Sequence, residues 1–372
     1  SVSLYLQTGG SATAPDAQSY RFRAQLSNYQ ERARYQAASR GSGGAWQSSS
    51  VPFETEITWR GGQDGMNNLI PDRGWIVVFD IPFSSLGLGS RPNNGTLWRL
   101  AAVVHDRDDS AGTPIADRWW PENGTDLQPN SWGELHFGVP QYTPPVASAR
   151  SWVTVRQGLN GAYVPDAHVG GHTNCGDPFG PLYFPNWGNA NYAGYEQVNV
   201  QNQWDVADWP CFSRYYVTFP LSAIPAGKVV LSATLTLHQF GNSSPIDAEP
   251  SRIQVLTVAE DWDEGTITWN NAPLAVENIG SQVVDPIVGQ ANWPGVPRTW
   301  NVSRAVAQAL AASQPLRLVL YSADGAYHSG KYFSSSDVPD WNAAARPTLR
   351  VWWGDIFTGE VQHNYLPLVT RR

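Results

Sequence analysis

Glycine and proline interrupt this chain so often that long helices have no room to form: 34 Gly and 28 Pro are spread through 372 residues. A Gly inside a helix costs about 1 kcal/mol relative to Ala and a Pro about 3, so a helix must fit between interruptions. The segments between them are rich in Trp, Tyr, Thr and Val, including 18 Trp and 15 Tyr, which suit a pleated, half-buried surface. An all-β fold follows, and helical bundles and alternating α/β folds are excluded.

Alternation of apolar and polar residues marks strands at Ser3 to Gln7, Tyr20 to Phe22 and Thr55 to Trp59, and the run Trp75 to Phe79 is apolar throughout at strand length. Leu97 to Val104 and Trp132 to Phe137 complete a first unit, which ends where Thr143-Pro144-Pro145 reads as a linker. The pattern restarts at Trp152. Strands are predicted at Trp152 to Val155, Gln197 to Val200, Tyr215 to Phe219, Val230 to His238, Ile253 to Val258, Arg317 to Tyr321 and Thr348 to Trp352. One helix is predicted, Val302 to Ala312, with Asn301 as its cap. The expected architecture is two tandem antiparallel β-sandwich, jelly-roll-like domains, at 1–145 and 146–354, followed by an extended tail at 355–372.

Charge narrows the partners. Lys and Arg total 24 against 32 Asp and Glu, a net charge of -8, and no stretch gathers enough cations to neutralise a run of phosphates, so nucleic acid is excluded. No run of about 18 apolar residues exists, so no membrane-spanning helix is expected. Ser1 to Leu6 lacks the basic flank and apolar stretch of a signal peptide, as in a soluble chain or a mature form. Cys175 and Cys211 are the only cysteines and lie among loop residues. They suit a disulfide in an oxidising compartment better than a metal site needing more ligands, the alternative being two free buried thiols. Sequons at Asn94, Asn123, Asn242 and Asn301 fit a secreted protein, although so short a pattern also arises by chance.

The second unit carries Pro165-Asp166-Ala167-His168-Val169, then Asn189 to Gly194, Arg214 to Gly227, Leu231 to Leu237, Trp262-Asp263-Glu264-Gly265-Thr266-Ile267-Thr268-Trp269-Asn270-Asn271-Ala272-Pro273, Phe333-Ser334-Ser335 and Arg346-Pro347-Thr348-Leu349. In that order these motifs resemble the DNRLRE domain, related to the family 96 carbohydrate-binding modules of secreted bacterial and archaeal surface proteins. The Asn174 to Phe184 insertion and the two cysteines depart from that pattern. The first unit, through Gly74 to Gly87, Trp98-Arg99-Leu100, Trp120-Pro121 and Trp132-Gly133-Glu134-Leu135, is similar to the DOMON-like, family 9 carbohydrate-binding type of sandwich. That resemblance implies sugar ends and structural calcium as ligands. The ending His363 to Val369 is similar to a short Tyr-Leu-Pro-Leu-Val terminus of exported Chloroflexota proteins and implies export and surface sorting.

Sugar binding needs aromatic faces for the C–H face of a pyranose and polar groups for its hydroxyls. Trp46, Trp59, Trp119, Trp187, Trp204, Trp209 and Trp293 lie in or beside predicted loops and are the stacking candidates, with packing over a loop as the competing use. Trp75, Trp98, Trp262, Trp269 and Trp352 sit in apolar motifs and are expected in the core. Calcium takes six to eight oxygens, often from several carboxylates in one short loop. Asp106, Asp108 and Asp109 are the densest cluster and Asp261, Asp263 and Glu264 the second, and solvated turns explain either equally well. His168 and His172 read as turn residues. No Gly-x-Ser-x-Gly elbow, His-Glu-x-x-His helix or phosphate loop is present.

Two sugar-module-like sandwiches without an attached catalytic domain imply a non-catalytic extracellular structural or adhesive protein, a subunit of a filament, sheath or surface layer. The alternatives are a freely diffusing polysaccharide-binding protein and a β-sandwich polysaccharide lyase working with Tyr and His alone. For the first, Tyr365, Leu366, Leu368 and Val369 are the anchors expected to join copies into a homopolymer by strand addition. A tail folded back on its own sandwich, or a sorting signal, competes with that use.

Overall fold

A computed structural model describes residues 1–25, 35–59, 75–105, 114–139, 141–171, 188–203, 211–244, 246–323 and 328–356. The fold is all-β. In the first sheet, β1 (Val2–Gln7), β2 (Ser19–Gln25), β3 (Tyr35–Ser42) and β4 (Ala45–Ser49) form one side. A hairpin, β5 (Glu54–Trp59) and β6 (Trp75–Asp80), pairs only with itself among the described residues. The sheet continues with β7 (Leu97–Val104), β8 (Arg118–Trp120) and β9 (Gly133–His136), in the order β4-β3-β2-β1-β7-β8, with β9 also on β7.

The period-2 alternation of β1 decides which way each face points. Leu6, with Tyr20, Phe22, Ala38 and Trp98, turns to a core closed by Phe53, Phe79 and Leu86. Ser3 and Tyr5 turn to the opposite face, where Tyr5, Ala101 and Val103 sit beneath Trp132, Trp46 and Trp119. β3 and β4 carry few β-branched residues and no clear alternation, so they give no strand signal in the sequence. They are held by their ladders to β2 and to each other.

The second set comprises β10 (Ala147–Arg156), β11 (Asp166–Gly170), β12 (Gln197–Gln203), β13 (Cys211–Phe219), β14 (Lys228–Asn242), β15 (Ser251–Val258), β16 (Ala275–Val284), β17 (Val296–Asn301), β18 (Leu316–Ser322), β19 (Lys331–Ser334) and β20 (Thr348–Ile356). All pairs are antiparallel, and one strand changes layer. Gln197–Val200 of β12 pair with β19, while Gln201–Gln203 pair with β13, which folds the strand array into two layers. Tyr215, Val217 and Phe219 from one layer meet Leu235, Leu237, Phe333 and Leu349 from the other. Burying such a side chain contributes about 1.5–3 kcal/mol. Among the described residues no strand of the first sheet pairs with a strand of this set.

The outer face of the β13–β18 layer is also apolar. Tyr216, Val319, Ala167 and Val169 pack there against Ile267, with Trp262 and Trp269 half-buried over them. The segment between β15 and β16 therefore lies across the sheet as a lid. The helix α1 (Ser303–Ala311) starts one residue later than expected and its cap position is Val302, not Asn301; Asn301 Oδ1, one position earlier, accepts from the Ser303 N–H at 3.0 Å and from Ser303 Oγ at 2.6 Å and so ties down the first helical residue. The helix stops at Ser313, whose φ of +54° is left-handed, two residues before Pro315.

Two expectations need correction. Trp352 is 40% exposed, because β20 turns it outward beside Trp152, where Arg350 lies over both indoles at 4.5 and 5.5 Å. His168 is no turn residue: it is fully buried in β11 and stacks on Tyr192 with ring centroids 4.2 Å apart.

Candidate functional site

Two features of the second set stand out chemically, and one short segment joins them. The first is a convergence of acids. Asp166 from β11, Glu264 from the segment over the sheet, and Asp337 just after β19 bring carboxylate oxygens within 4.8 Å of one another. It is the one such acidic group among the described residues.

Asp166 is 1% exposed. It accepts from the Tyr215 hydroxyl, from the Ser336 N–H at 2.8 Å and from Ser336 Oγ at 2.7 Å. Burial pushes its carboxyl up to about 7 against those hydrogen bonds, which pull it down. Glu264 accepts from the Tyr163 hydroxyl at 3.1 Å and from the Asp166 N–H, and it is raised first by burial and then by the charge of Asp337. Asp337 is hydrogen-bonded to Glu264 and accepts from the Gly194 N–H; burial raises it while Arg346 pulls it down. Three carboxyls this close cannot all be charged at low cost without a proton or a cation among them. They offer three of the six to eight oxygens a calcium ion takes, so this is the group that can hold a hard divalent cation.

The second feature is a pair of exposed indoles. Trp293 is 68% exposed and Trp341 71%, with ring centroids 4.5 Å apart and planes at 67°. Trp293 stands on a tight turn before β17. Gly295 has φ +114°, and a Cβ there would lie 2.7 Å from the Gln239 carbonyl, so the turn requires glycine. Trp341 belongs to a 3-10 turn at Asp340–Ala345. Its segment is tied by buried Arg346, which donates to the Val338 carbonyl through Nε at 3.0 Å and Nη2 at 2.6 Å and reaches Asp340 at 2.8 Å. Residues 336–341 thus run from the acidic group to the exposed indole as one braced piece.

The sequence candidates scatter. Trp293 is where a ligand can reach it, and Trp341 was missed because Asp-Trp-Asn-Ala-Ala-Ala carries no strand or loop signal. Trp46 is half-buried and donates Nε1–H to the Asp126 carbonyl at 3.0 Å, and Trp119 is half-buried on β8. The side chain of Trp59 and all of Trp187, Trp204 and Trp209 lie outside the described residues. So do Asp106, Asp108, Asp109, His172, Cys175, the Cys211 side chain, and Tyr365, Leu366, Leu368 and Val369. In the second acidic cluster Asp261 is taken by Arg317 at 3.0 Å, and Glu264 joins Asp166 and Asp337 instead. Of the sequons, Asn94 and Asn123 are exposed, Asn301 accepts through Oδ1 from the Ser303 N–H, and Asn242 donates Nδ2–H to the Ile287 carbonyl at 2.8 Å, a bond a glycan would break.

Residues 185–349 match the profile of carbohydrate-binding module family 96. That span contains Glu264, Trp293, Asp337 and Trp341, and the matching family is a binding class rather than a catalytic one. No curated protein gives a match. Solved structures similar to the chain include the infectious bursal disease virus Gt strain, 8% identical over 96% of this chain and 72% of that one, with a TM-score of 0.16. Another is the VP2 subviral particle of the same virus, at 8%, 96%, 73% and 0.16. Likeness at that level carries nothing further. No helix among the described residues is long and apolar enough to cross a membrane.

Proposed function

We propose that this chain is a non-catalytic, secreted polysaccharide-binding protein that takes its ligand on Trp293 and Trp341. The observation that carries the reading is the exposure of these two rings on braced turns within the carbohydrate-binding-module span. Large indoles left in water without apolar cover mark an interaction surface. Two rings at 67° present a corner, with one face for a sugar ring and the second for its neighbour. Binding of a polysaccharide panel, followed by calorimetry, tests it. The variant Trp293→Ala/Trp341→Ala should lose at least about 10-fold in affinity, as expected for aromatic anchors, while its melting temperature holds. Affinity equal to that of the parent in this variant refutes the assignment.

One observation favours a second reading, a subunit of an extracellular assembly joined through residues 357–372. An apolar groove of about 860 Å³, lined by Pro145, Leu221, Ile224, Val229 and Leu310, also includes Lys228, which pairs with Asp355 at the end of β20. A segment such as Tyr365-Leu366-Pro367-Leu368-Val369, from the same or a neighbouring copy, has matching chemistry for such a groove. Filaments lost on deletion of 357–372 support assembly, and a monomer at every concentration excludes it.

A further inference from the structure

We infer that the open face of the first sheet is a separate site for an anionic sugar residue, recognised through Arg21 and Arg23. The register creates it. Paired residues share a face, and Ser3 opposes Arg23 while Tyr5 opposes Arg21. Arg21 opposes Ser39, Ser39 opposes Ser48, and Val103 opposes Trp119. One face therefore gathers two guanidiniums, three hydroxyls and two aromatic rings, with its back to the apolar core of Leu6, Phe22 and Trp98. These groups line an open cleft of about 550 Å³, within the range of small-ligand sites.

Neither arginine forms an ion pair among the described residues, whereas Arg99, Arg304, Arg317 and Arg346 all do. Arg21 is held in place: Nη2 donates to Ser39 Oγ at 3.2 Å, and its guanidinium carbon lies 5.2 Å from the centre of the Trp46 ring. Arg23 is at the rim, with Nη2 donating to Ser1 Oγ at 3.1 Å. The acids of the cleft are Asp117 and Asp126. Asp117 is hydrogen-bonded to His105 Nδ1 at 2.8 Å, and His105 Nε2 meets Ser3 Oγ at 3.1 Å, which fixes that carboxylate on the far side of the cleft's histidine. Burial raises the Tyr5 phenol, the charge and hydrogen bond of Arg21 act against it, and the charge of Asp126 adds a smaller upward push. Two positive charges at alternate positions of one strand, facing hydroxyls, are a matched receptor for a carboxylate or sulfate.

The aromatic floor makes the ligand a sugar rather than a bare anion. Trp119 is half-exposed and tilted 33° to Tyr5 at 5.3 Å, and Gly124 lets its loop lie against the indole, where a Cβ would come 3.1 Å from Trp119 Cε3. A pyranose ring over Trp119 would place an acidic substituent toward β2. The chain Asp117–His105–Ser3 has the order of a hydrolytic relay, but Ser3 is 2% exposed, too enclosed to meet a carbonyl in line, and serves as a fixed hydroxyl.

The test uses the full chain carrying Trp293→Ala/Trp341→Ala, so that the site of the proposed function is silent and the two readings fail separately. Binding of polygalacturonate, dextran sulfate and neutral dextran is measured by calorimetry at about 50 and 200 mM salt. Binding of polygalacturonate identifies the carboxylate as the recognised group and binding of dextran sulfate the sulfate, in each case weakening with salt and exceeding any binding of dextran. Arg21→Gln/Arg23→Gln should weaken that binding at least about 10-fold. Because Arg21 packs on Trp46, Arg23→Gln alone, at an exposed position, is the control for folding and should cost several-fold. No binding of either polyanion, or binding unchanged in both arginine variants, overturns the inference. With a net charge of -8 on the chain, diffuse attraction of polyanions does not imitate the result.

Discussion

Replacing Asp166 by Asn should flatten the dependence of folding stability on pH. In the native protein this carboxyl titrates at about 7, against 3.8 ordinarily, because burial outweighs the three hydrogen bonds it accepts. Between those values the native state keeps a proton that the unfolded chain has lost. Its raised value therefore contributes stability that is fully present below about pH 4 and is lost as pH rises through about 7. One proton of difference gives a slope near -1.4 kcal/mol per pH unit, and roughly 4 kcal/mol across the window. Asp166 is fully buried, so solvent screening does not reduce this figure.

Glu264 and Asp337 are raised too, and they steepen the parent's curve in the same direction. Burial is the largest cause of both shifts, joined at Glu264 by the charge of Asp337 and at Asp337 by that of Glu196, so subtracting the Asp166→Asn curve isolates Asp166. The amide fits the same space, and the Tyr215 and Ser336 hydroxyls can turn to accept from it. Its local cost is about 1–2 kcal/mol and independent of pH. The assay is urea unfolding followed by tryptophan fluorescence from about pH 4.5 to 7.5 in EDTA, with equal m-values required for the comparison. The variant should be the less stable protein only at the acid end and should overtake the parent by about pH 5, where the parent has lost the same ~1–2 kcal/mol. Parallel curves for the two proteins would refute the protonated-acid account.

Millimolar calcium at about pH 7.5 should raise the melting temperature of the parent and leave Asp166→Asn/Glu264→Gln unmoved, because the cation replaces the proton among three converging carboxyls. Differential scanning fluorimetry with and without chelator reads this directly. Gly295→Ala should cost about 1–3 kcal/mol, from φ +114° and the close Gln239 carbonyl, and should weaken polysaccharide binding by displacing Trp293. Calorimetric unfolding and a binding titration on the same sample check both effects.

Much of the fold is legible in the sequence because its cause is local. The alternation in Ser3 to Gln7 and the apolar run in Leu97 to Val104 mark strands whatever surrounds them, and β1 and β7 lie side by side. Asn301 before an Ala-rich stretch marks the start of α1. Strands whose stability comes from their partners leave no such mark, as in β3, β4 and β8.

The acidic group failed to show for a related reason. Asp166 and Glu264 are 98 positions apart and meet only because the segment between β15 and β16 crosses the outer face of the β13–β18 layer, where Ile267 and Trp262 find apolar cover. The run Asp261-Trp262-Asp263-Glu264 reads as one acidic loop. Burial of Trp262 splits it, sending Asp261 to Arg317 and Glu264 to Asp166 and Asp337. Proximity in sequence measured the density of charge there, while the direction in which each carboxylate points was decided by an apolar neighbour. Spacing arguments for ligand sets therefore succeed where one loop supplies every ligand, and fail where a tryptophan between two acids is itself part of the core.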